Sequence, residues 1–311
     1  MNFTHLRLAS GYSFKYGTAH ISNLVSKAQE YKFSALALTD RESLAGVIRF
    51  TKECESAGIS PIIGVNLSLL QKKYRVTLLA QSGEMASLYR FYTALNLEEP
   101  DGVISNKFLE RNQKYSKNLL LMHGPESQLV SALGARQNSV ASSIFDSYRE
   151  FFADQALECV THLRAGDGPF STALAGKSLA FAREKRAPAV ISNAVRMLDR
   201  RDGPVADVLD AVRNLTPLSN RTVERSNSEG FLKSGQEMRA LADQIALAAG
   251  ERSGAALITE TLDWGERTSQ SPRTDIGLGA IHLPEPNMVG VANQEQARQE
   301  LRARSFAAID I

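Results

Sequence analysis

Residues 34–70 decide the fold, and they read SALALTDRESLAGVIRFTKECESAGISPIIGVNLSLL. The apolar run at 34–39 predicts a buried strand, and residues 43–57 have the spacing of an amphipathic helix. Gly58 stands just past that helix, as a terminating glycine commonly does, and a second apolar run occupies 61–70. A strand, a helix and a strand in this order predict a βαβ unit with two parallel strands.

The same alternation continues along the first two hundred residues. Further strands are predicted at 3–9, 74–80, 118–123, 156–161 and 189–192. Further helices are predicted at 20–32, 83–97, 142–154, 171–185 and 203–214. Seven strands with mostly helical crossovers fit a closed or nearly closed α/β barrel, in which chemistry lies at the carboxyl ends of the strands. A doubly wound open sheet fits the same pattern, and the pattern alone does not separate the two.

Beyond residue 217 the strand pattern stops. The sequence there predicts two helices, an irregular connector and a last helix, at 236–249, 255–262, 265–286 and 294–307. We therefore predict three regions, which are an α/β barrel over 1–217, a helical extension packed on the barrel over 218–264, and a connector with its following helix over 265–311.

The composition excludes several classes of protein. Of the 311 residues, 43% are hydrophobic and 23% are charged, which excludes a disordered or fibrous chain. The 36 Lys and Arg residues nearly balance the 34 Asp and Glu residues, so we expect DNA to bind weakly if at all. No apolar run approaches the ~20 residues that span a bilayer, which predicts no membrane segment. Two cysteines, Cys54 and Cys159, make no disulfide framework or zinc cluster, which fits a cytoplasmic protein.

Polar side chains collect where the predicted strands end. Asp40 follows the strand at 34–39, and His162 follows the strand at 156–161. These two side chains are too few for a multinuclear metal site, which needs several histidines and carboxylates together. From the residues alone, we interpret both as hydrogen-bonded rim residues.

The same strand ends lie in blocks that resemble, in order, the PHP (polymerase and histidinol phosphatase) domain of bacterial C-family DNA polymerase III alpha subunits. The blocks are 3–13, 35–40, 57–64, 74–80, 157–162, 193–196 and 231–238. Leu283-Pro284 and the helix around Leu301 resemble the start of the polymerase palm. The resemblance implies a distorted seven-stranded (β/α) barrel of PHP type with a C-terminal helical extension, and it implies that 265–311 lead into a palm.

The resemblance also implies where a metal site would lie. The family's positions fall on Arg7, Ala9, Asp40, Arg41, Asn66, Arg75, His162, Asn193 and Arg196. Family members with an intact site bind zinc or manganese, whereas here four of these positions are arginine and only Asp40 is clearly retained as a ligand. A guanidinium repels a metal ion and pairs with carboxylates. We therefore predict a degenerate, metal-free site with no cofactor, in which Asp40 pairs with one or more of the rim arginines.

The function that the resemblance implies is that of the PHP region of a DNA polymerase III alpha-type protein. In that family, DNA synthesis belongs to magnesium-binding carboxylates of the palm, which would lie beyond residue 311. We expect this chain to be a catalytically inactive structural module that supports the palm in cis and contacts replisome or proofreading subunits. The alternative is a metal-dependent phosphoesterase or 3′–5′ exonuclease with a reduced site around Asp40, His162 and His123. A degenerate stand-alone protein is a third possibility.

Overall fold

The computed structural model describes residues 2–69, 73–99, 101–219, 227–279 and 286–308. The chain forms two compact units, Met1–Leu278 and Gly279–Ile311. Within the described residues, no helix combines the length and the apolar character needed to cross a bilayer.

The first unit is built on one curled sheet. Its strands are β1 (Ala35–Leu38), β2 (Ser60–Leu69), β3 (Tyr74–Ala80), β4 (Val103–Ile104), β5 (Leu119–His123), β6 (Asp154–Cys159) and β7 (Ala189–Ile191). Their order across the sheet is β1-β2-β3-β5-β6-β7, and β4 pairs with β2 beside this path. All pairs are parallel except those of β3, which runs antiparallel to β2 and to β5. Every strand predicted after the first one is present within two residues of its expected bounds.

The predicted strand at 3–9 is an extended segment that joins the two edges of the sheet. On one side, the amides of Ala37 and Thr39 donate to the carbonyls of His5 and Leu8, at 3.0 and 2.8 Å. On the other side, the Ala9 amide donates to the Val195 carbonyl at 2.8 Å, and the Val195 amide donates to Arg7 at 3.1 Å. We call the segment that makes both contacts, residues 5–9, the seam. The segment lies beside β1, as the predicted first strand would. The curled sheet, with six strands on its continuous path and β4 beside it, confirms the predicted α/β fold with a distorted, barrel-like sheet.

Helices cover the outside of the sheet and extend beyond it. They are α1 (Ile21–Glu30), α2 (Val47–Ala57), α3 (Met85–Glu98), α4 (Asn106–Arg111), α5 (Gln113–Ser116), α6 (Gln128–Gly134), α7 (Asn138–Tyr148), α8 (Thr172–Lys185), α9 (Gly203–Arg213), α10 (Gly235–Ala248), α11 (Ala255–Thr268) and, in the second unit, α12 (Gln294–Ala307). The sequence did not predict α4, α5 and α6. The helix predicted at 142–154 begins and ends earlier, because the chain turns after Tyr148 and enters β6 at Asp154.

Several helix ends follow directly from local sequence. The side chains of Ser105, Ser127 and Ser171 each accept a backbone N–H of the first turn, at 3.1 to 3.2 Å. Ser234 and Glu237 form a reciprocal capping box at the start of α10. Gly58 ends α2 in the left-handed conformation, with φ 69°, as its position in the sequence predicts.

The interior of the curled sheet is filled by alternate strand residues and by one aromatic side chain from α11. The members of this inner cluster are Leu6, Ala35, Ala37, Ile62, Leu79, Leu120, Met122, Ala156, Val190 and Trp264. Next to Trp264, the side chains of Glu260 and Thr261 accept the amides of Ala189 and Ile191 at 2.7 and 2.8 Å. The α11 helix therefore closes the inner core. It continues to Thr268, past the start of the predicted connector, while the division of the chain at 217/218 and 264/265 stays a prediction.

Replacing Trp264 tests this inner core. We expect Trp264→Ala to lower the free energy of unfolding by about 3–5 kcal/mol, since a buried indole leaves a cavity that its neighbours fill only in part. Denaturant unfolding measures this loss. The exposed Leu247 of α10 is the control, and Leu247→Ala should cost less than about 0.5 kcal/mol. Equal costs for the two variants would contradict the described core.

Buried histidines predict a pH dependence of stability, and His5 and His123 are the most deeply buried of them. Burial lowers the pKa of His5 and of His123 to about 4. In the unfolded chain a histidine titrates near 6.5, so between the two values the unfolded state binds more protons. The free energy of unfolding should therefore fall as the pH drops from about 6.5 to about 4, by about 1.4 kcal/mol per pH unit for each histidine.

Urea unfolding of His123→Gln at a series of pH values measures the contribution of one histidine. We expect the free energy of unfolding of this variant to change less with pH than that of the unsubstituted protein, by about 1.4 kcal/mol per pH unit. His20→Gln, at an exposed histidine, is the matched control and should leave the slope unchanged. A slope that is the same in both variants would show that His123 is not buried in its neutral form.

Candidate functional site

The carboxyl ends of the parallel strands form one rim of the sheet. Because β3 runs antiparallel, its first residues reach the same rim, where Arg75 stands opposite Ser68 of β2. Just past β1, Arg41 forms an isolated bridge with Asn66. The seam adds Arg7 to this end of the sheet. The topology therefore brings together side chains that lie far apart in the sequence.

The carboxylate of Glu126 is the centre of the rim. It lies three residues past β5, and it accepts hydrogen bonds from the guanidinium groups of Arg7 and of Arg41, the latter at 2.7 Å. Its backbone carbonyl also accepts the amide of Arg75 at 2.9 Å. Burial alone would raise the pKa of Glu126, but the charges of Arg41 and Arg7 outweigh it and hold the pKa well below its usual range. Glu126 thus joins the seam, the end of β1 and the start of β3.

A second carboxylate, Glu158 of β6, holds the other side of Arg7. Its Oε2 atom lies 3.2 Å from Arg7 Nη1, and its Oε1 atom accepts the Ser192 hydroxyl. The Glu158 side chain is 0% exposed. A Cβ atom at Gly124 would lie 2.1 Å from Glu158 Oε2, so this contact requires a residue without a side chain there. Glu158 and Glu126 together raise the pKa of the Arg7 guanidinium, although burial opposes its charge.

Asp40 has no arginine partner among the described residues, so the predicted Asp40–arginine pair is wrong. Its carboxylate accepts the Ser10 amide at 2.6 Å, the Ser10 hydroxyl at 2.9 Å and the Ser13 hydroxyl at 2.7 Å. The tight turn that follows the seam supplies these donors, and the neighbouring Arg41 extends to Glu126 instead. Burial raises the pKa of Asp40, and the serine hydrogen bonds act in the opposite direction. Asp40 is thus a hydrogen-bonded rim residue, as the residues alone indicated.

Asn66 and Arg75 form a second group on the rim. Asn66 Oδ1 accepts Arg75 Nε at 2.5 Å, and its Nδ2 donates to Thr77 Oγ1 at 2.9 Å. Arg75 also reaches Glu42 Oε1 at 2.8 Å and Ser68 Oγ at 2.9 Å. Burial, together with the positive charge of Arg41, lowers the pKa of Arg75. The group uses a neutral amide to position a guanidinium.

Arg196 lies against a third carboxylate and against an aromatic ring. Its two terminal nitrogens donate to the two oxygens of Asp210, at 2.9 and 3.0 Å, and Arg213 reaches Asp210 at 2.7 Å. The Arg196 guanidinium lies 4.2 Å from the centre of the Tyr16 ring, and that of Arg41 lies 3.4 Å from the same centre. Cation–π contact with one ring therefore positions two rim arginines.

The remaining predicted positions make local contacts. His162 Nε2 lies 2.9 Å from the Asn193 carbonyl, and its ring stacks on Phe170 with 4.7 Å between ring centres. Burial lowers the pKa of His162 to about 4. The side chain of Asn193 donates to two backbone carbonyls at 2.7 Å, and Ala9 contributes a buried methyl group. His123, by contrast, hydrogen bonds to Gln155 at 3.0 Å and packs beside aromatic rings of α7.

Sequence reasoning missed the carboxylates that organise the rim. Neither Glu126 nor Glu158 was predicted as a site residue, and Tyr16 and Asp210 were not singled out. Glu158 carries a signal that could have been used, because it is a charged residue inside an apolar strand run. Glu126 follows the strand predicted at 118–123, which places it at the rim that the other candidates share.

The rim residues do not suit a multinuclear zinc or manganese site. Arginine offers N–H donors and no lone pair for a metal ion, and it occupies four of the nine positions. In the part of the chain that the structure describes, no group of three or more His, Cys, Asp or Glu side chains could hold a metal. The two carboxylates nearest to Arg7 are already engaged by guanidinium groups.

Comparison with known proteins assigns the family. The PHP domain model matches residues 5–162, about half of the chain, and the chain therefore belongs to the PHP domain family. This match, together with the curled α/β sheet, confirms the resemblance to the PHP domain.

Among curated relatives, the chain is similar to DNA polymerases of bacteria. It is 29% identical over 260 residues to an error-prone DNA polymerase of Symbiobacterium thermophilum, covering 76% of this chain and 23% of that protein. It is 25% identical to a DNA polymerase III subunit alpha of Xylella fastidiosa, covering 99% of this chain and 26% of that protein. The chain thus spans about a quarter of the length of these relatives.

Among solved structures, the chain is similar to an amidohydrolase from Chromobacterium violaceum. The match covers 62% of this chain and 87% of that chain, with 12% identity and a TM-score of 0.41.

The buried Arg7–Glu158 ion pair predicts that substitutions of these two residues have coupled effects on stability. We expect Arg7→Met to lower the free energy of unfolding by about 3–5 kcal/mol, because Glu158 would be left buried without its cation. Adding Glu158→Gln should recover part of this loss, so that a double-mutant cycle by denaturant unfolding gives a coupling above about 1 kcal/mol. The control is Arg111→Met, which removes an exposed pair with Glu98 and should cost less than about 1 kcal/mol. Additive losses at Arg7 and Glu158 would contradict the coupling.

Proposed function

We propose that this chain is a catalytically inactive PHP module of a DNA polymerase III alpha-type protein, a pseudoenzyme in which arginines replace the metal ions. The single observation that supports it best is that Arg7 and Arg41 share the carboxylate of Glu126 at the rim. In a metal site, cations hold the carboxylates together. In this module, guanidinium groups supply that positive charge from within the chain.

The degenerate positions fit this role as a set. Arg7, Arg41, Arg75 and Arg196 each have a carboxylate partner, and these partners are Glu126, Glu158, Glu42 and Asp210. Such pairs leave no carboxylate pair open for a metal among these partners. The proposed consequence is a rim that holds its shape without a cofactor.

The alternative enzyme has weaker support. A reduced metal site would need Asp40, His162 and His123 to act together as ligands. His123 instead hydrogen bonds to Gln155 beside α7, and His162 contacts the Asn193 carbonyl. Asp40 is occupied by Ser10 and Ser13. These three side chains therefore serve separate local structures, which favours the inactive module over a phosphoesterase or a 3′–5′ exonuclease.

The proposed partners follow from the relatives. We propose that a polymerase palm acts in cis, where magnesium would support nucleotidyl transfer, and that this module contacts replisome or proofreading subunits in the cytoplasm. The near balance of charge in the whole chain supports only weak binding of DNA.

Metal analysis and a hydrolysis assay test the proposal. We expect purified, dialysed protein to hold fewer than two zinc or manganese ions per chain, since at least three or four ligands build such sites. We also expect no manganese-dependent hydrolysis of p-nitrophenyl phosphate, and no change of the unfolding midpoint with a chelator. The control variant is Asp40→Asn. Two or more bound ions, with hydrolysis that Asp40→Asn abolishes, would favour the phosphoesterase.

A further inference from the structure

The α9 helix carries an apolar stripe that faces away from the barrel. Val205, Val208 and Val212 are 51%, 45% and 46% exposed, and Leu215, just past the helix, is 88% exposed. We call these four residues the α9 ridge. The buried residues of the same helix include Ala206, Asp210 and Ala211. The helix therefore buries its two alanines and exposes its three valines, while Leu209 is half-buried.

The spacing of the ridge makes it one surface. Val205, Val208 and Val212 are separated by three and four positions, so their side chains lie above one another on one helix face, and Leu215 follows just past the end of the helix. A surface helix normally places polar residues on its outer face, and a continuous exposed apolar stripe marks an interaction site.

Leu215 stands at the end of the ridge, where α9 terminates. Its backbone is in the left-handed region, with φ 51°, which glycine or asparagine adopts more readily than leucine. This conformation holds the most exposed large apolar side chain of the described residues out into solvent. The Thr216 amide donates to the Ala211 carbonyl at 3.0 Å, and the Leu215 amide donates to the Val212 carbonyl at 3.4 Å. The left-handed residue therefore ends α9 in the way that helices commonly terminate.

The chemistry beside the ridge indicates the kind of partner. The carboxyl-terminal end of α9 borders a cleft of about 540 Å³ at the rim. The charged residues that line this cleft are Arg41, Arg164, Arg196, Arg213, Glu126 and Asp210, which leaves two positive charges in excess. His162, also in the lining, adds no charge near neutral pH, because burial lowers its pKa to about 4. The ridge is thus apolar, and its neighbouring cleft is positive.

A second feature extends this surface. Arg213 Nη1 donates to the Lys15 carbonyl at 3.3 Å, which ties the loop around residue 14 to the end of α9. Phe14 in that loop is 80% exposed, and the Lys15 ammonium lies 5.2 Å from its ring centre. Apolar and cationic groups therefore occur together here as well.

We propose that the α9 ridge binds an amphipathic helix of a partner protein, whose polar flank is acidic. The apolar face of such a helix would cover the valines, and its Asp and Glu side chains would lie toward the positive cleft. A second copy of this chain would bring the same excess of positive charge, so charge favours a different protein. The inference rests on the proposed function in one respect, namely that the module contacts other replication proteins.

The test uses two labelled synthetic helices of about 18 residues, or five turns, with one shared leucine stripe. One peptide has glutamate flanks, and the other has lysine flanks. By fluorescence anisotropy with the full chain, we expect the glutamate peptide to bind at least tenfold more tightly at low salt, and we expect added salt to weaken it. Val208→Asp should weaken its binding by about tenfold or more.

Val140→Asp is the matched control, because Val140 of α7 is 44% exposed and lies outside the ridge. It should leave the binding unchanged, and circular dichroism verifies that both variants are folded. Equal binding of both peptides, no binding of either, or binding that Val208→Asp does not affect would overturn the proposal. Dimerisation in sedimentation equilibrium that Val208→Asp abolishes would assign the ridge to a second copy and overturn it too. Metal content is measured separately, so failure here leaves the proposed inactivity of the rim intact.

Discussion

The shared carboxylate of Glu126 is the interaction on which the arrangement of the rim depends. It contacts Arg7 from the seam and Arg41 from the end of β1, and its backbone fixes the start of β3. Three segments that are distant in sequence therefore meet at one negative charge. An unpaired charge inside a protein is costly. Moving any one of Glu126, Arg7 or Arg41 would leave a charge without its partner, and this cost holds the three groups in place.

Much of the fold follows from apolar periodicity, because burial on one or both faces leaves a regular trace in a strand or a helix. The strands β1 to β3 and β5 to β7, and the long helices, have such traces. The short helices α4 to α6 span few turns, and their pattern is too brief to recognise. Apolar periodicity did not distinguish a curled, barrel-like sheet from an open one. The two edges are joined by a few backbone hydrogen bonds of the seam, and such single contacts leave no periodic pattern in the sequence.

The site was predicted only in part, and the reason is physical. The positions of the four arginines followed from the family resemblance, and the topology does bring them to one rim. Their carboxylate partners did not follow, because Glu126 lies in a loop without periodicity and its role depends on tertiary position. The prediction that Asp40 pairs with a rim arginine was wrong, because Ser10 and Ser13 of a nearby turn already donate hydrogen bonds to its carboxylate. Hydrogen-bond competition of this kind cannot be read from residue types alone.

The seam has a consequence for the order in which the barrel is completed. The residues from His5 to Ala9 leave the ribosome before the strands do, and they find their second partner only when Val195 has been synthesised. Contacts between residues so distant in sequence are slow to form, because a long loop must close before they contribute any stability. The seam segment is thus among the earliest parts of the barrel to be made and among the last to be fixed. The guanidinium of Arg7 accordingly stays solvated until the carboxylates of Glu126 and Glu158, which lie far along the chain, are in place to bind it.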